Sequence, residues 1–397
     1  MSRFDSARLA AIDARMEAWV ASGKYERLEW MIGDQSGIAH QGATGATSVY
    51  RIYSMTKPLV SLIALQLVEE GKLQLYHPVA MYLEEYKMLL KRTPAGPRPT
   101  AGRLTVKHLI THTSGLSYGF MTDGGSARLN AAGVHGDPNR TLREEAAIIA
   151  RIPLEFEPGE QWLYSVSTDV LAAVIEVIEQ KPMQEIMAER ITGPLGMEDT
   201  GYTADAGRIA PIQGGVEGLL DASTVADTYP HDNPDFARGG HGLFSTLADY
   251  GKVALSLLNT ARGGDGPHIV SPSTLAWATR NHVADQMPIY LESDPRSINP
   301  PVTGNGFGLG FAVVSGDGAV PSAPGAFGWS GAADTWFSVD PATNLFMVSM
   351  AQNFDWPGAS YTLASMTHGA LRGEELGVLA GRSGRWSEGG PVAHRLS

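Results

Sequence analysis

An α+β fold (an α/β sandwich) is the architecture this sequence predicts, with one antiparallel sheet built from both chain termini and flanked by helices. Three observations carry that expectation. Strand-like stretches open the chain (Leu28 to Gly33, Ile38 to Gln41) and return near its end (Phe307 to Val314, Ala326 to Trp329, Thr335 to Val339, Leu345 to Ala351). Between them, from His77 to about Arg238, the pattern is helical pieces joined by Gly/Pro loops, with no convincing strand. Third, Leu59 to Glu70 is apolar nearly all round, which marks a buried helix rather than an amphipathic one. The expected division is a sheet domain of residues 1–76 and 239–397, a mostly helical domain of residues 77–238, and a site between them.

Each element has a local cause. Ser6 to Ser22 carries Leu9, Ile12, Met16, Trp19 and Val20 at helical spacing, with Gly23 as its stop. Asp34-Gln35-Ser36-Gly37 reads as a hairpin turn between the first two strands. The buried helix that follows starts close to Ser54, because Pro58 is tolerated only in a first turn. Gly71 is its C-terminal stop. The middle pieces are Val106 to Thr111, Arg143 to Ile152, Thr168 to Gln180 and Met183 to Ile191, and Thr93 to Pro99 is one of the loops. Gly239-Gly240-His241-Gly242 breaks the chain, and Ser245 is expected to cap a helix running to about Leu258. Ser315-Gly316-Asp317-Gly318 and Asp340-Pro341-Ala342-Thr343-Asn344 are turns between the late strands. Ser360 to Arg372 is a last helix, and the Gly-, Arg- and Ser-rich tail from Gly373 is expected to be poorly ordered.

Composition narrows the function. The chain has 397 residues, net charge −12 and no basic run, which argues against nucleic acid as a partner. It has no cysteine, which excludes disulfides, thiol catalysis and thiolate metal sites. No segment reaches the roughly 18 apolar residues of a membrane span. Met1 to Ser6 lacks the apolar core of a signal peptide, so a cytoplasmic protein without membrane partners is expected.

Ser-x-x-Lys occurs once, at Ser54-Met55-Thr56-Lys57. A hydroxyl at a helix N-terminus with a lysine one turn on is a plausible activated nucleophile. A lysine inside a buried helix is costly unless it is paired or neutral. Other patterns are duller. Gly115-Leu116-Ser117-Tyr118-Gly119 matches a nucleophile elbow, but a helical run precedes it and a loop follows it, so Ser117 is read as a loop residue. His108 and His112 have zinc-motif spacing, but Leu109 stands where the general-base Glu belongs, so a structural pair is expected and no metal. Tyr164 falls in a loop just before a helix. Gly328-Trp329-Ser330-Gly331-Ala332-Ala333 ends a strand in small residues, a sign of close backbone approach.

Together these segments resemble the serine β-lactamase and penicillin-binding-protein superfamily, most of all the class C β-lactamase-like esterases called family VIII carboxylesterases. Ser54 to Lys57 with the preceding Arg51-Ile52 matches its first motif, and Leu104 to Leu116 its stretch between motifs. Pro158-Gly159 to Val166 matches its tyrosine region, and Gly242 to Tyr250 is also family-like. Trp329-Ser330-Gly331 stands where relatives carry Lys-Thr-Gly. The likeness runs from about Ala7 to Arg372 and implies a β-lactamase/transpeptidase-like fold.

The resemblance implies Ser54 as nucleophile, with Lys57 and Tyr164 sharing the base role. Burial should lower the lysine's pKa, and the neighbouring ammonium should lower the tyrosine's. It also implies an oxyanion hole from the backbone N–H groups of Ser54 and Ala332. Trp329, Ser330, Gly331 and Val166 would bind substrate, and no metal or organic cofactor is needed. Val166 takes the place of an amide-bearing Asn, and Trp329 that of a lysine. Both changes suit short, neutral esters better than anionic amides. The expected partner is therefore a small-molecule ester, with acyl transfer or amide hydrolysis as the alternatives.

Overall fold

The chain opens with one helix and one hairpin, and the last strands extend the sheet from one side of that hairpin. In this computed structural model the described residues are 3–46, 48–119, 124–216, 220–221, 229–283, 305–316 and 320–372. Helix α1 (Ser6–Ala21) is capped by Asp5, whose carboxylate accepts the Ala7 and Arg8 amides. Strands β1 (Glu29–Asp34) and β2 (Gly37–Ala43) pair through the Asp34–Gly37 turn, where Gly37 has a φ of 119°. Helix α2 (Thr56–Glu69) follows, then α3 (Ser167–Glu179) and α4 (Leu247–Arg262). The late strands are β3 (Asn305–Phe307), β4 (Ala312–Val314), β5 (Phe327–Ser330), β6 (Trp336–Asp340) and β7 (Leu345–Met350), with α5 (Ala359–Ala370) after them.

The sheet order is β2-β1-β7-β6-β5-β4-β3, antiparallel throughout. The first hairpin thus joins a meander some 300 residues later through β1 and β7, with Glu29 opposite Met350 and Gly33 opposite Phe346. Both faces of the central strands are covered, so period-2 alternation sends neighbouring residues into different cores. Trp30, Ile32, Leu345 and Met347 pack with Ile12 and Met16 of α1 and Leu363 of α5. Met31, Phe346, Val348 and Met350 face the larger core, which holds α2, α3 and α4. Fully burying such a side chain contributes about 1.5–3 kcal/mol, which is why a one-residue slip in this register is strongly opposed.

Helix α2 is the centre of the larger core. Every residue from Thr56 to Leu65 is buried, including Lys57. The helix ends as expected at Gly71, whose φ is 72° and whose amide returns to the Val68 carbonyl.

Several expectations are corrected. Phe307 to Val314 is not one strand: β3 and β4 are antiparallel partners, turned by a segment in which Gly308 donates to the Phe311 carbonyl and Gly310 has a φ of 90°. The cap of α4 is Thr246, whose hydroxyl accepts the Asp249 amide, while Ser245 is one residue too early and pairs with Tyr50. The middle region does contain short ladders, Leu90–Lys91 with Arg98–Pro99 and Gly215–Val216 with Leu220–Asp221, too brief to leave a period-2 signal. The Met183 helix is α-helical only to Met187 and continues as π-helix through Ala188–Thr192. The helices Gly124–Ala131 and Pro272–Ala278 were not expected, although Ser271-Pro272 is a helix-start signal. The tail from Gly373 and the Asp317-Gly318 part of one turn lie outside the described residues.

Candidate active site

The backbone around Ser54 is built by segments far apart in sequence. Tyr50–Arg51 pairs with Phe244–Ser245, and the Ile52 amide donates to the Leu243 carbonyl at 3.1 Å. Tyr53 takes a φ of 44°, a left-handed value uncommon for a non-glycine residue and characteristic of strained functional turns. A short 3₁₀ turn, Tyr53–Met55, then runs into α2. Carbonyls on both sides of Ser54 are tied down: Thr335 Oγ1 donates to the Ile52 carbonyl at 3.3 Å, and Tyr250 Oη to the Met55 carbonyl at 2.9 Å.

Ser54 is partly exposed, and its Oγ accepts from Tyr164 Oη at 2.6 Å and from Lys57 Nζ at 3.1 Å. The structure therefore joins the three residues singled out by motif. Lys57 Nζ also donates to the Gly240 carbonyl at 2.7 Å and to Tyr118 Oη at 3.4 Å. It sits 4.6 Å from the Tyr164 ring centre and 5.0 Å from that of Tyr118. Burial pushes the Lys57 amine down to about 7, against the partial support of the Asp169 carboxylate. The Tyr164 phenol moves the other way from the expected direction. Full burial raises it above the usual tyrosine value, and the Ser54 hydroxyl and Trp329 indole offset only part of that. Near neutral pH the site thus holds a phenol beside an amine poised to lose its proton.

Tyr164 is set in an aromatic cluster. It stacks on Tyr118 (5.5 Å between centres, 26° between planes) and touches His112 at 4.9 Å and Trp329 at 5.5 Å. Phe307 closes the group against Trp329 at 5.3 Å and Trp162 at 5.7 Å. The loop that carries Tyr164 is held at both ends, by the Leu163 amide on the His112 carbonyl and the Val166 amide on the Ser117 carbonyl.

The remaining expected residues separate. Trp329 is in the aromatic wall. Ser330 is not beside it: β5 alternates, so Trp329 lies on the face of its partner Phe337 and Ser330 on that of Trp336. Val166 is fully buried just before α3, so its side chain offers no surface to a substrate. Gly331 packs directly on Ile52: a side chain there would collide with the Ile52 carbonyl and with Thr335. That contact docks the Gly331-Ala332 turn on the segment leading to Ser54. Ser117 is buried in a loop, as expected for that stretch. His108 accepts the Thr105 amide through Nδ1 as a helix cap, and His112 Nδ1 pairs with Ser165 Oγ at 3.2 Å. Tyr118, Gly240 and Asp169 are site residues that motif reading missed. The first lay inside the elbow-like segment and the second in the Gly-rich break.

No helix among the described residues is long and apolar enough to cross a membrane. The sequence profile of the β-lactamase family matches residues 12–367. Esterase EstB of Burkholderia gladioli is 31% identical over 337 residues, covering 79% of this chain and 79% of that protein. Acyltransferase calJ of Penicillium decumbens is 29% identical over 311 residues, covering 72% of this chain and 71% of the other. Among solved structures, EstCE1, described as a hydrolase with promiscuous acyltransferase activity, superposes with a TM-score of 0.73 at 22% identity, covering 92% of this chain and 99% of that one. With that fold and a serine held by a buried lysine and tyrosine, the chain belongs to the β-lactamase family, as a serine hydrolase resembling its family VIII esterases.

Proposed function

We propose that the protein is a carboxylesterase that hydrolyses short-chain, neutral esters through an acyl-enzyme on Ser54. The observation that carries this reading is the double approach to Ser54 Oγ, by Lys57 Nζ at 3.1 Å and Tyr164 Oη at 2.6 Å, beneath a wall formed by Trp329. Neutral Lys57 has two N–H donors and one lone pair. The Gly240 carbonyl and Tyr118 Oη take the donors, which leaves the lone pair for the Ser54 proton. As Ser54 attacks the ester carbonyl, Lys57 takes that proton. The backbone N–H groups of Ser54 and Ala332 receive the oxyanion, an interaction worth on the order of 10²–10³ in rate per donor elsewhere. The Tyr164 phenol passes its proton to the departing alkoxide and is refilled from Lys57. Water then adds to the acyl-enzyme by the reverse relay and releases the acid.

Three expected results follow. The kcat/KM of ester hydrolysis should rise with pH through a limb near 7, because the protonated amine must lose its proton to act. A pH–rate profile with a p-nitrophenyl ester measures it, and a profile flat from pH 5 to 9 removes Lys57 as the base. Tyr164→Phe should lose at least ~10²-fold in kcat. Adding Lys57→Ala should make it little worse, since groups that act as a unit are non-additive. Multiplicative losses would put the two in separate steps. Third, substrate choice should be graded, at about 1–3 kcal/mol per methylene of acyl chain, with little turnover of a chromogenic cephalosporin. Trp329→Lys should lower KM for the anionic cephalosporin relative to a neutral ester of similar size. Equal changes for both would make Trp329 a packing residue.

Acyl transfer is the second reading, favoured by the acyltransferase name of the Penicillium relative. The same acyl-enzyme would pass its acyl group to an alcohol in place of water. Hydrolysis of p-nitrophenyl butyrate with and without a small alcohol separates the two. A butyrate ester of the added alcohol that outgrows free butyrate at millimolar alcohol makes the protein an acyltransferase.

A further inference from the structure

Asp169 is a fully buried carboxylate in the first turn of α3, five residues after Tyr164. Its Oδ1 accepts the Gly240 amide N–H at 2.9 Å. The carbonyl of the same Gly240 accepts Lys57 Nζ at 2.7 Å. Asp169 Oδ2 stands 3.3 Å from His135 Nε2, and His135 and His241 meet edge to face with ring centres 4.6 Å apart. The fit is tight. A side chain at Gly239 would run into the Thr168 carbonyl. One at Gly240 would lie 2.6 Å from Asp169 Oδ2 and 3.1 Å from Tyr118 Oη. The Gly-rich break therefore serves to bring a backbone carbonyl against the lysine, with a carboxylate behind it.

We propose that Asp169 is a positioning residue for Lys57: its carboxylate anchors Gly240, whose carbonyl fixes the amine, and its negative charge acts on that amine through space. The proposal rests on the reading of Lys57 as the base for Ser54. The groups around this pair come from every neighbouring element: His112 and Tyr118 from one loop, Tyr164 from the next, His135, and Arg238 with His241 from the Gly-rich segment. Tyr86 and Tyr202 also lie within the field of the carboxylate. Burial drives His112 and His241 well below the usual histidine range, so neither supplies a counter-charge. Burial pushes the Asp169 carboxyl up, but the His135 ring beside it and the Lys57 amine hold it well below the usual carboxylate range. Lys57 feels that carboxylate as its one supporting charge, against the larger effect of burial.

Two substitutions divide the roles. Asp169→Asn keeps an oxygen for the Gly240 amide and removes the charge, whereas Asp169→Ala removes both. The readout is the rate of Ser54 phosphonylation by a p-nitrophenyl alkylphosphonate between pH 5 and 9, with thermal unfolding run beside it. Asp169→Asn should move the acid limb to lower pH by about 1 unit, the lower end of what one neighbouring charge does, with its plateau within threefold of wild type. Asp169→Ala should show the same move and a plateau at least ~10-fold lower, as expected for a misplaced base. An unmoved limb in Asp169→Asn, or equal plateaus in the two variants, overturns the proposal. Should either variant fail to fold, Gly240→Ala reads the same contact, because its methyl must displace the carboxylate. A plateau at least ~10-fold lower supports the proposal, and an unchanged one overturns it. A wild type that leaves Ser54 unlabelled overturns the reading of the site itself, and this proposal with it.

Discussion

Ser54→Ala is expected to lose on the order of 10⁶ in kcat, the scale of removing the nucleophile from another serine hydrolase. It should do so without unfolding. Ser54 is partly exposed, and the carbonyls beside it are held by Thr335 and Tyr250, neither of which the substitution touches. Circular dichroism and the thermal midpoint should match wild type. The control is Ser117→Ala, which changes a buried loop hydroxyl outside the strand–helix setting an elbow requires. If Ser117→Ala removes activity and Ser54→Ala does not, the nucleophile has been misassigned.

Lys57→Met should give the second-largest effect, and in two directions. Activity should fall by at least ~10²-fold, the lower end of what a positioned base contributes. Stability should rise. The amine is fully buried, and burial lowers its pKa from 10.5 to about 7 in the folded chain. At pH below 7 both folded and unfolded chains carry the proton, so the folded state bears the whole penalty. Between pH 7 and 10.5 the folded chain sheds the proton first, and the penalty fades. Above 10.5 it is gone. Methionine carries no such penalty, so the variant should be more stable by on the order of a few kcal/mol at pH 6, and by less at pH 9. Urea unfolding at the two pH values reads both. A variant less stable than wild type at pH 6 would mean that the contacts of Lys57 with Gly240 and Ser54 outweigh its desolvation.

What could be read from the sequence follows the range of the forces involved. Helix α2 was legible because its signals are local: Pro58 and Gly71 bracket it, and the apolar run between them has one outcome. The sheet shared by both termini was legible for a weaker reason, since strands at the two ends and helices between leave few ways to bury both sets. The β3–β4 hairpin was not, because Gly308 and Gly310 interrupt an apolar run that otherwise reads as one strand. Ser54, Lys57 and Tyr164 could be paired only through a family pattern, as Tyr164 lies 107 positions after Lys57. Tyr118 and Asp169 have no motif of their own. Their place depends on how the 112–119 loop, the first turn of α3 and Gly240 pack together. That Val166 is buried and that Ser330 faces away from Trp329 is not legible in a motif, because exposure and strand face are tertiary facts. The rise of the Tyr164 phenol was misjudged because full burial, which outweighs its polar neighbours, is not visible in a motif.

The most direct test of the central claim is to map a covalent adduct. Protein inactivated with a p-nitrophenyl alkylphosphonate is digested, and the modified residue is located by mass spectrometry. The expected result is one phosphonyl group per chain, on Ser54, formed in parallel with loss of ester hydrolysis and slowed by a short neutral ester. A phosphonyl group on Ser117 or any other residue, or full inactivation with Ser54 unmodified, contradicts it.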